Sequence, residues 1–286
     1  MKIAAVQMDV KILDSVHNLS RIMEKLEVAA KCEAKVVVFP ECALSGYCFN
    51  SKEESYPVAE TVPGPSTEKL TEAARRLDCY VIMGMLERCK EDIFNTAAVV
   101  GPEGFVGSYR KVHLPFLGID RYATLGDKPF PVFPTHHGPI GVNICFDLNF
   151  PESGRSAKLK GARLLAVPTN WPIGTNTYKH VANARGQENH IFVAVANRVG
   201  TERGYGFVGH SKVIDCLGET VAEAGQDEEA VLYGDFDLAE ADQNQIKYRT
   251  GEWHVDRIQD RRPDFYSALT EPVKKETNVP TSDISS

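Results

Sequence analysis

The chain has no long apolar run. None approaches the ~20 consecutive apolar residues a membrane-spanning helix needs, which excludes a membrane-bound enzyme as a reading. It also has no cluster of five or more basic residues, and its 39 acidic residues outnumber its 32 basic ones for a formal net charge of -7. That balance argues against a nucleic-acid or anionic-membrane partner. Cys-x-x-Cys is absent, and His136-His137, His180 and His190 lack paired ligand spacing, so no metal site is expected. There is no Gly-rich phosphate loop, which argues against a glutaminase module feeding a nucleotide-dependent synthetase. The opening residues Met1 to Asp9 meet charge too soon to read as a secretory signal. Seven cysteines, an odd number, then favour reduced thiols in a cytoplasmic setting over a disulfide framework.

What is present is ample core material, 43% hydrophobic residues over 286 positions. Lys2–Met8 and Val36–Phe39 are apolar runs with strand length, and between them Val16, Leu19, Ile22, Met23, Leu26 and Ala30 recur at helical spacing. Residues 42–63 read as loop with one short helix. Gly64-Pro65-Ser66 opens a helix to Leu77, with Ser66 as expected N-cap. Tyr80–Glu87 is a strand, and Asn95–Val100 and Phe105–Arg110 flank a Gly-Pro-Glu-Gly turn. A loop-rich stretch follows from Val112 to Phe133, and connections of that length are often functional. Gly138 to Ile144 is a turn and a short strand, and Pro151 begins a helix ending in Lys158-Leu159-Lys160-Gly161. Leu164–Val167 and Ile191–Asn197 are strands around a helix over Tyr178–Asn189. A hairpin over Ser211–Ala224, a strand over Ala230–Phe236 and a short helix over Leu238–Gln245 complete the pattern. No composition shift marks a linker. The reading is one α/β domain over residues 1–265, with a mixed sheet or two sheets packed face to face and helices outside. Residues 266–286 form a polar tail, expected to be disordered from about Thr270 or placed at a subunit interface.

Three polar residues, Glu41, Lys111 and Cys145, each come just after a predicted strand, and layered α/β folds gather ligands where strands end. A carboxylate, an ammonium and a thiol in one crevice make coherent chemistry. The thiol is a weak nucleophile until deprotonated. A partly buried glutamate can take its proton and return it to a departing amine. The lysine, with the backbone N–H of Phe146, can stabilise an oxyanion.

The residues around these three positions carry a resemblance. Phe39-Pro40-Glu41 with Leu44-Ser45-Gly46-Tyr47, then Tyr109-Arg110-Lys111-Val112-His113-Leu114, then Gly141-Val142-Asn143-Ile144-Cys145-Phe146-Asp147 with Phe150-Pro151-Glu152 are similar to the glutamate, lysine and cysteine motifs of the nitrilase, or carbon-nitrogen hydrolase, superfamily. Smaller matches are Phe94-Asn95-Thr96-Ala97 and Gly209-His210-Ser211 with Gly218. The resemblance implies a four-layer α-β-β-α sandwich, a homodimer or larger homo-oligomer, no metal and no organic cofactor. It implies a catalytic Glu41-Lys111-Cys145 triad that hydrolyses a non-peptide C–N bond of a small amide through a thioester, releasing ammonia. N-carbamoyl compounds and nitriles are the variant substrates. Many members carry a second glutamate after the lysine motif, and Asp120 is read here as its shorter substitute. Phe146 and Asn149 stand where tyrosine and arginine are frequent, and neither change removes a catalytic group. Asn170 and Trp171 fall where the family lines its substrate pocket, and Tyr47 and Phe116 are further pocket candidates.

Rival readings have their own residues. A cysteine in an apolar strand is ordinarily core, and Cys32, Cys79, Cys89 and Cys216 are read that way. Cys42 and Cys48 lie near Glu41 and are assigned no chemistry. His113 offers a Cys-His protease, but no local protease signature surrounds Cys145. Arg185 with Glu188 and Asn189 reads as structural pairing. A catalytically idle binding or scaffold relative is the alternative of another class.

Overall fold

Every position of β1 (Lys2–Gln7) after Lys2 is buried, as a strand covered on both faces must be. α1 (Ser15–Lys31) follows, capped by the Asp14 side chain, which accepts the His17 N–H. Then come β2 (Ala34–Val38), the single turn α2 (Lys52–Ser55) and α3 (Pro65–Leu77). β3 (Tyr80–Cys89), β4 (Asp92–Gly101) and β5 (Gly104–Arg110) form an antiparallel run. The second half of the fold begins with β6 (Val132–Phe133) and β7 (Ile140–Val142), then α4 (Pro151–Leu159), β8 (Leu164–Pro168), α5 (Thr177–Asn189) and β9 (Phe192–Ala196). A small hairpin, β10 (Thr201–Glu202) and β11 (Tyr205–Gly206), precedes β12 (Lys212–Ile214), β13 (Thr220–Glu223) and β14 (Ala230–Asp235). This computed structural model describes residues 1–273.

Two six-stranded sheets result, ordered β14-β1-β2-β3-β4-β5 and β13-β12-β9-β8-β7-β6. β2 shows how they stack. Val36 and Val38 enter one apolar cluster and Val37 the other, as alternation along a strand requires. The first cluster joins Ile82 and Val99 to Val142, Leu164 and Ala166, so it fills the space between the sheets. The second joins Val81 and Met83 to Ile22 and Leu26 of α1 and Leu70 and Ala74 of α3. On the other side, α4 packs on β7 and α5 on β9. Residues Met1–Asn244 therefore build an α-β-β-α sandwich.

Strand direction decides where the site lies. β1, β2 and β3 are parallel, and β5 shares their direction because both β3 and β5 are antiparallel to β4. In the other sheet β7, β8 and β9 are parallel. Just past β1 and β9, Met8 and Arg198 pair in parallel across the sheets. The carboxyl ends of both parallel sets thus face the same side.

Some local expectations are corrected. Ser66 is not the N-cap of α3. Gly64 holds that place, its N–H donating to Thr67 Oγ1 at 2.7 Å, while the Ser66 hydroxyl donates to Glu60 Oε1 at 2.7 Å. The segment after β14 forms a 3-10 turn over Leu238–Asp242 rather than a helix reaching Gln245. A second compact unit starts at Gln245, where β15 (Gln245–Arg249) and β16 (Trp253–Asp256) pair as a hairpin that went unread. Of the expected tail, residues 274–286 lie outside the described residues. Among the described residues, no helix is long and apolar enough to cross a membrane.

Candidate active site

The chain leaves β2 through Phe39 and Pro40 and crosses close over β3 before reaching Glu41. The Gly84 N–H donates to the Pro40 carbonyl at 3.2 Å, and the Leu44 N–H donates to the Gly84 carbonyl at 3.3 Å. A Cβ on Gly84 would stand 2.5 Å from Glu41 Cα and 2.5 Å from the Pro40 oxygen. Glycine is what allows the approach. Lys111 directly follows β5 and continues its ladder, its N–H donating to the Asn95 carbonyl at 2.8 Å. Cys145 follows β7 by two residues and opens the 3-10 turn Cys145–Asn149, with φ at +47°. L-residues seldom adopt that backbone region, and here the surrounding hydrogen bonds hold it. Ile144 N–H donates to Asp147 Oδ2 at 3.0 Å, and the Ser153 hydroxyl lies 3.0 Å from Asn143 Oδ1 and 2.8 Å from the Asp147 carbonyl.

Two of the strand ends, at Glu41 and Lys111, meet in a buried polar cluster, and the buried Cys145 lies near enough to feel both charges. Lys111 Nζ donates to Glu41 Oε1 at 2.6 Å and to Asp120 Oδ2 at 2.5 Å, with all three side chains fully enclosed. Asn95 Nδ2 donates to Glu41 Oε1 at 2.7 Å and to Asp120 Oδ1 at 2.9 Å. The Tyr47 hydroxyl donates to Asp120 Oδ2 at 2.9 Å. Glu41 Oε2, buried, has no hydrogen-bond partner among the described residues.

The electrostatics follow from two carboxylates sharing one ammonium in a dry site. Burial raises the Glu41 carboxyl above its ordinary range, opposed by Lys111 and reinforced by Asp120. Burial would depress the Lys111 ammonium, but Asp120 and Glu41 outweigh it and hold it well above the usual lysine value. Burial and the Glu41 charge push the Cys145 thiol up to about 12, against the pull of Lys111, the Thr169 hydroxyl and the Asn170 backbone N–H. Cys145 is thus a neutral thiol near pH 7, beside a lysine that stays charged and a carboxyl with one unused oxygen. Such a thiol reacts through a base rather than as a standing thiolate.

Other expected site residues divide. Asp120 and Tyr47 join the cluster. The Phe146 N–H lies in the first turn of the 3-10 segment, where helical turns leave donors without internal acceptors. Asn170 is buried, and neither atom of its side-chain amide has a partner among the described residues. Trp171 is buried and engaged by its backbone, its N–H donating to Asn197 Oδ1 at 2.9 Å and its carbonyl accepting the Val208 N–H at 2.9 Å. Phe116 is 89% exposed, with the Arg121 guanidinium near its ring, and does not join the buried group. His113 is bound to Asp147. Arg185 Nε donates to the Leu148 carbonyl at 2.9 Å and Nη1 to Glu188 at 2.8 Å, a tie between α5 and the cysteine turn. Sequence reasoning assigned no role to Asn95, which bridges both carboxylates. Its signal was an amide inside an otherwise buried apolar strand, a placement that demands a hydrogen-bond partner.

The chain is similar to known proteins along most of its length. The carbon-nitrogen hydrolase family model matches residues 2–245. A nitrilase of Pyrococcus abyssi is 36% identical over 267 residues, covering 93% of this chain and 99% of its own length. The omega-amidase of Homo sapiens is 33% identical, covering 83% of this chain and 88% of its own length. Among solved structures, an amidase from Nesterenkonia sp. AN1 is 26% identical at a TM-score of 0.77, covering 94% of this chain and 96% of that one, and that structure carries an acetamide moiety covalently added to its active-site cysteine. With the family model matched over residues 2–245 and relatives above 30% identity along most of the chain, this chain belongs to the carbon-nitrogen hydrolase family.

Proposed function

We propose that the protein hydrolyses a small primary amide with Cys145 as nucleophile, Glu41 as general base and acid, and Lys111 as oxyanion donor. The observation that carries this reading is the fully buried Lys111 bridging Glu41 and Asp120 beside a neutral thiol. As the Cys145 sulfur bonds to the amide carbon, its proton passes to Glu41, whose free Oε2 is the available acceptor. The carbonyl oxygen becomes an oxyanion that receives hydrogen bonds from Lys111 Nζ and the Phe146 N–H. Glu41 returns the proton to the nitrogen as the C–N bond breaks, and ammonia leaves a thioester on Cys145. Water then attacks the thioester carbon, giving its proton to Glu41. The C–S bond breaks, the thiol is re-formed and the carboxylic acid departs. Asp120, with Asn95 and Tyr47 fixing it, keeps Lys111 charged and aimed.

The acyl group is small by this reading, because the reacting atoms lie in an enclosed site. N-carbamoyl compounds and nitriles are variants open to the same triad. The odd number of cysteines, seven, favours a reducing, cytoplasmic setting. Assembly as a homodimer or larger homo-oligomer belongs to the same proposal and is tested by molar mass in solution.

Ammonia release from a panel of amides, carbamoyl amino acids and nitriles, read with intact-mass trapping of an acyl adduct, tests the function. The expected result is turnover of an amide and an adduct that maps to Cys145. Full turnover by Cys145→Ala would sink the nucleophile assignment. Absence of any adduct, with Cys145 alkylated no faster than the other thiols, would favour an idle binding relative.

A further inference from the structure

Of the buried carboxylates that the mechanism leaves unused, Asp147 is fully enclosed and stands two residues past the nucleophile. Its four contacts have a pattern. Oδ2 accepts from the Tyr109 hydroxyl at 2.8 Å and from the Ile144 N–H at 3.0 Å. Oδ1 accepts from the His113 N–H at 3.2 Å and lies 2.8 Å from His113 Nδ1. Tyr109 and His113 flank Lys111 by two residues on either side, and Ile144 and Asp147 flank Cys145. One carboxylate therefore ties both sides of the lysine segment, which issues from the first sheet, to both sides of the cysteine turn, which issues from the second. His113 completes the tie. Its ring stacks on Phe150 with centroids 3.7 Å apart and planes 10° apart, at the end of the cysteine turn.

We propose that Asp147, with Tyr109 and His113 as its side-chain partners, is the positioning residue that sets the distance between the oxyanion donor Lys111 and the nucleophile Cys145. The proposal rests on the roles given above to those two residues. Asp147 touches no reacting atom. It acts by fixing two loops that come from different sheets and share no backbone ladder at this point. The Asp120 cluster fixes the lysine side chain from the other direction, so Lys111 is located both by its head group and by its backbone. A misplacement of about 1 Å costs on the order of 10²-fold in rate when groups must align in a transition state. Loss of the tie should therefore fall on kcat rather than on KM.

Two substitutions at His113 separate this role from simple packing. His113→Asn keeps an N–H near the Nδ1 position and loses the ring. His113→Phe keeps the stack on Phe150 and loses the donor. The expected result is that His113→Phe lowers kcat about tenfold or more with KM little changed, while His113→Asn stays near the parent. The rate of Cys145 alkylation by iodoacetamide, which needs no oxyanion donor, should be unchanged in both. Asp147→Asn should lower kcat by ~10²-fold, and adding His113→Phe to it should cause little further loss, because both changes break one tie. Equal kcat in the two His113 variants overturns the proposal, and so does a double variant whose losses simply multiply. If Asp147→Asn fails to fold, the His113 pair alone decides. Full turnover by Cys145→Ala would instead bring down the underlying reading, so the two failures are distinguishable.

Discussion

Lys111 and Arg198 are both cations with fully enclosed side chains, and they are used in opposite ways. Arg198 Nη1 donates to Glu202 Oε2 at 2.6 Å, Nη2 to Asp9 Oδ1 at 3.1 Å and to the Val10 carbonyl at 2.7 Å, and its guanidinium lies 4.2 Å from the Phe207 ring centroid. Glu202 in turn uses Oε1 to accept the backbone N–H groups of Tyr47 and Cys48 at 2.8 and 2.5 Å. Its partner acid thus has both oxygens occupied. Arg198 also meets a second carboxylate, but Asp9 is exposed to solvent, whereas both acids on Lys111 are fully enclosed and one of their oxygens has no partner among the described residues. A buried ion pair with its acid saturated holds loops in place. One with a spare acceptor and a spare negative charge can move a proton.

Four measurements sharpen that contrast, beginning with the largest expected effect. Glu41→Gln removes the spare acceptor, and kcat should fall by about 10²–10⁴-fold, the range for loss of general acid-base help, while Cys145 remains open to slow alkylation. The pH profile of the parent enzyme belongs to the same test. Only the ionised Glu41 can accept the thiol proton, so kcat/KM should fall as pH drops through its pKa. Because burial raises that pKa, the fall should begin above the ordinary carboxylate range. With the thiol at about 12, no rise from thiolate formation should appear between about pH 7 and 9.

Arg198→Met should act on the other side of the comparison. It leaves the buried Glu202 without its cation, and denaturant unfolding should show a loss of about 3–5 kcal/mol. An Arg198→Met protein of unchanged stability would remove the distinction drawn here. Gly84→Ala is smaller. Its Cβ would meet the Glu41 backbone, and overpacking of this kind costs about 1–3 kcal/mol, with a fall in kcat that tracks the displaced carboxylate. Tyr47→Phe is the smallest. It removes one donor to Asp120 and should lower stability by about 0.5–1.5 kcal/mol in denaturant unfolding, together with a modest fall in kcat.

The parts of the fold legible in the sequence were those written by apolar periodicity. β1, α1, β2, α3 and the β4-β5 hairpin lie within a residue or a few of their expected bounds, because each has a covered face or a turn that excludes other conformations. Gln245–Arg249 and Trp253–Asp256 do alternate polar with apolar residues, but each run is only four or five residues long and most of their positions are exposed, so the alternation marks no covered face. The Ser66 cap was misread by two residues. Gly64 has no side chain to advertise itself, and its N–H is satisfied by a threonine three residues on.

Glu41, Lys111 and Cys145 were singled out because each follows a predicted strand and sits in a motif similar to one of the carbon-nitrogen hydrolase family, and Glu41 and Lys111 do meet in the fold. The partners that orient them were harder to see. Asn95 sits mid-strand, and nothing in one-dimensional spacing shows that it faces Glu41 across 54 positions. Phe116 shows the converse limit. An aromatic residue in a loop beside a motif reads as pocket lining, yet it stands almost fully in solvent. Asp147 was visible only as part of a motif, since its partners lie 34 to 38 positions away on another sheet.

The left-handed backbone of Cys145 carries a consequence for timing. A residue with a side chain gives up on the order of 1–2 kcal/mol to sit in that region, and the chain does so when it folds. The Cys145 side chain is then already turned out of its strand, with the first donors of the 3-10 turn beside it, before any substrate arrives. No rearrangement of this turn has to be repeated at each turnover, which is the sense in which a preorganised site lowers a barrier. The cost is met once in the life of the molecule, and the benefit recurs with every cycle.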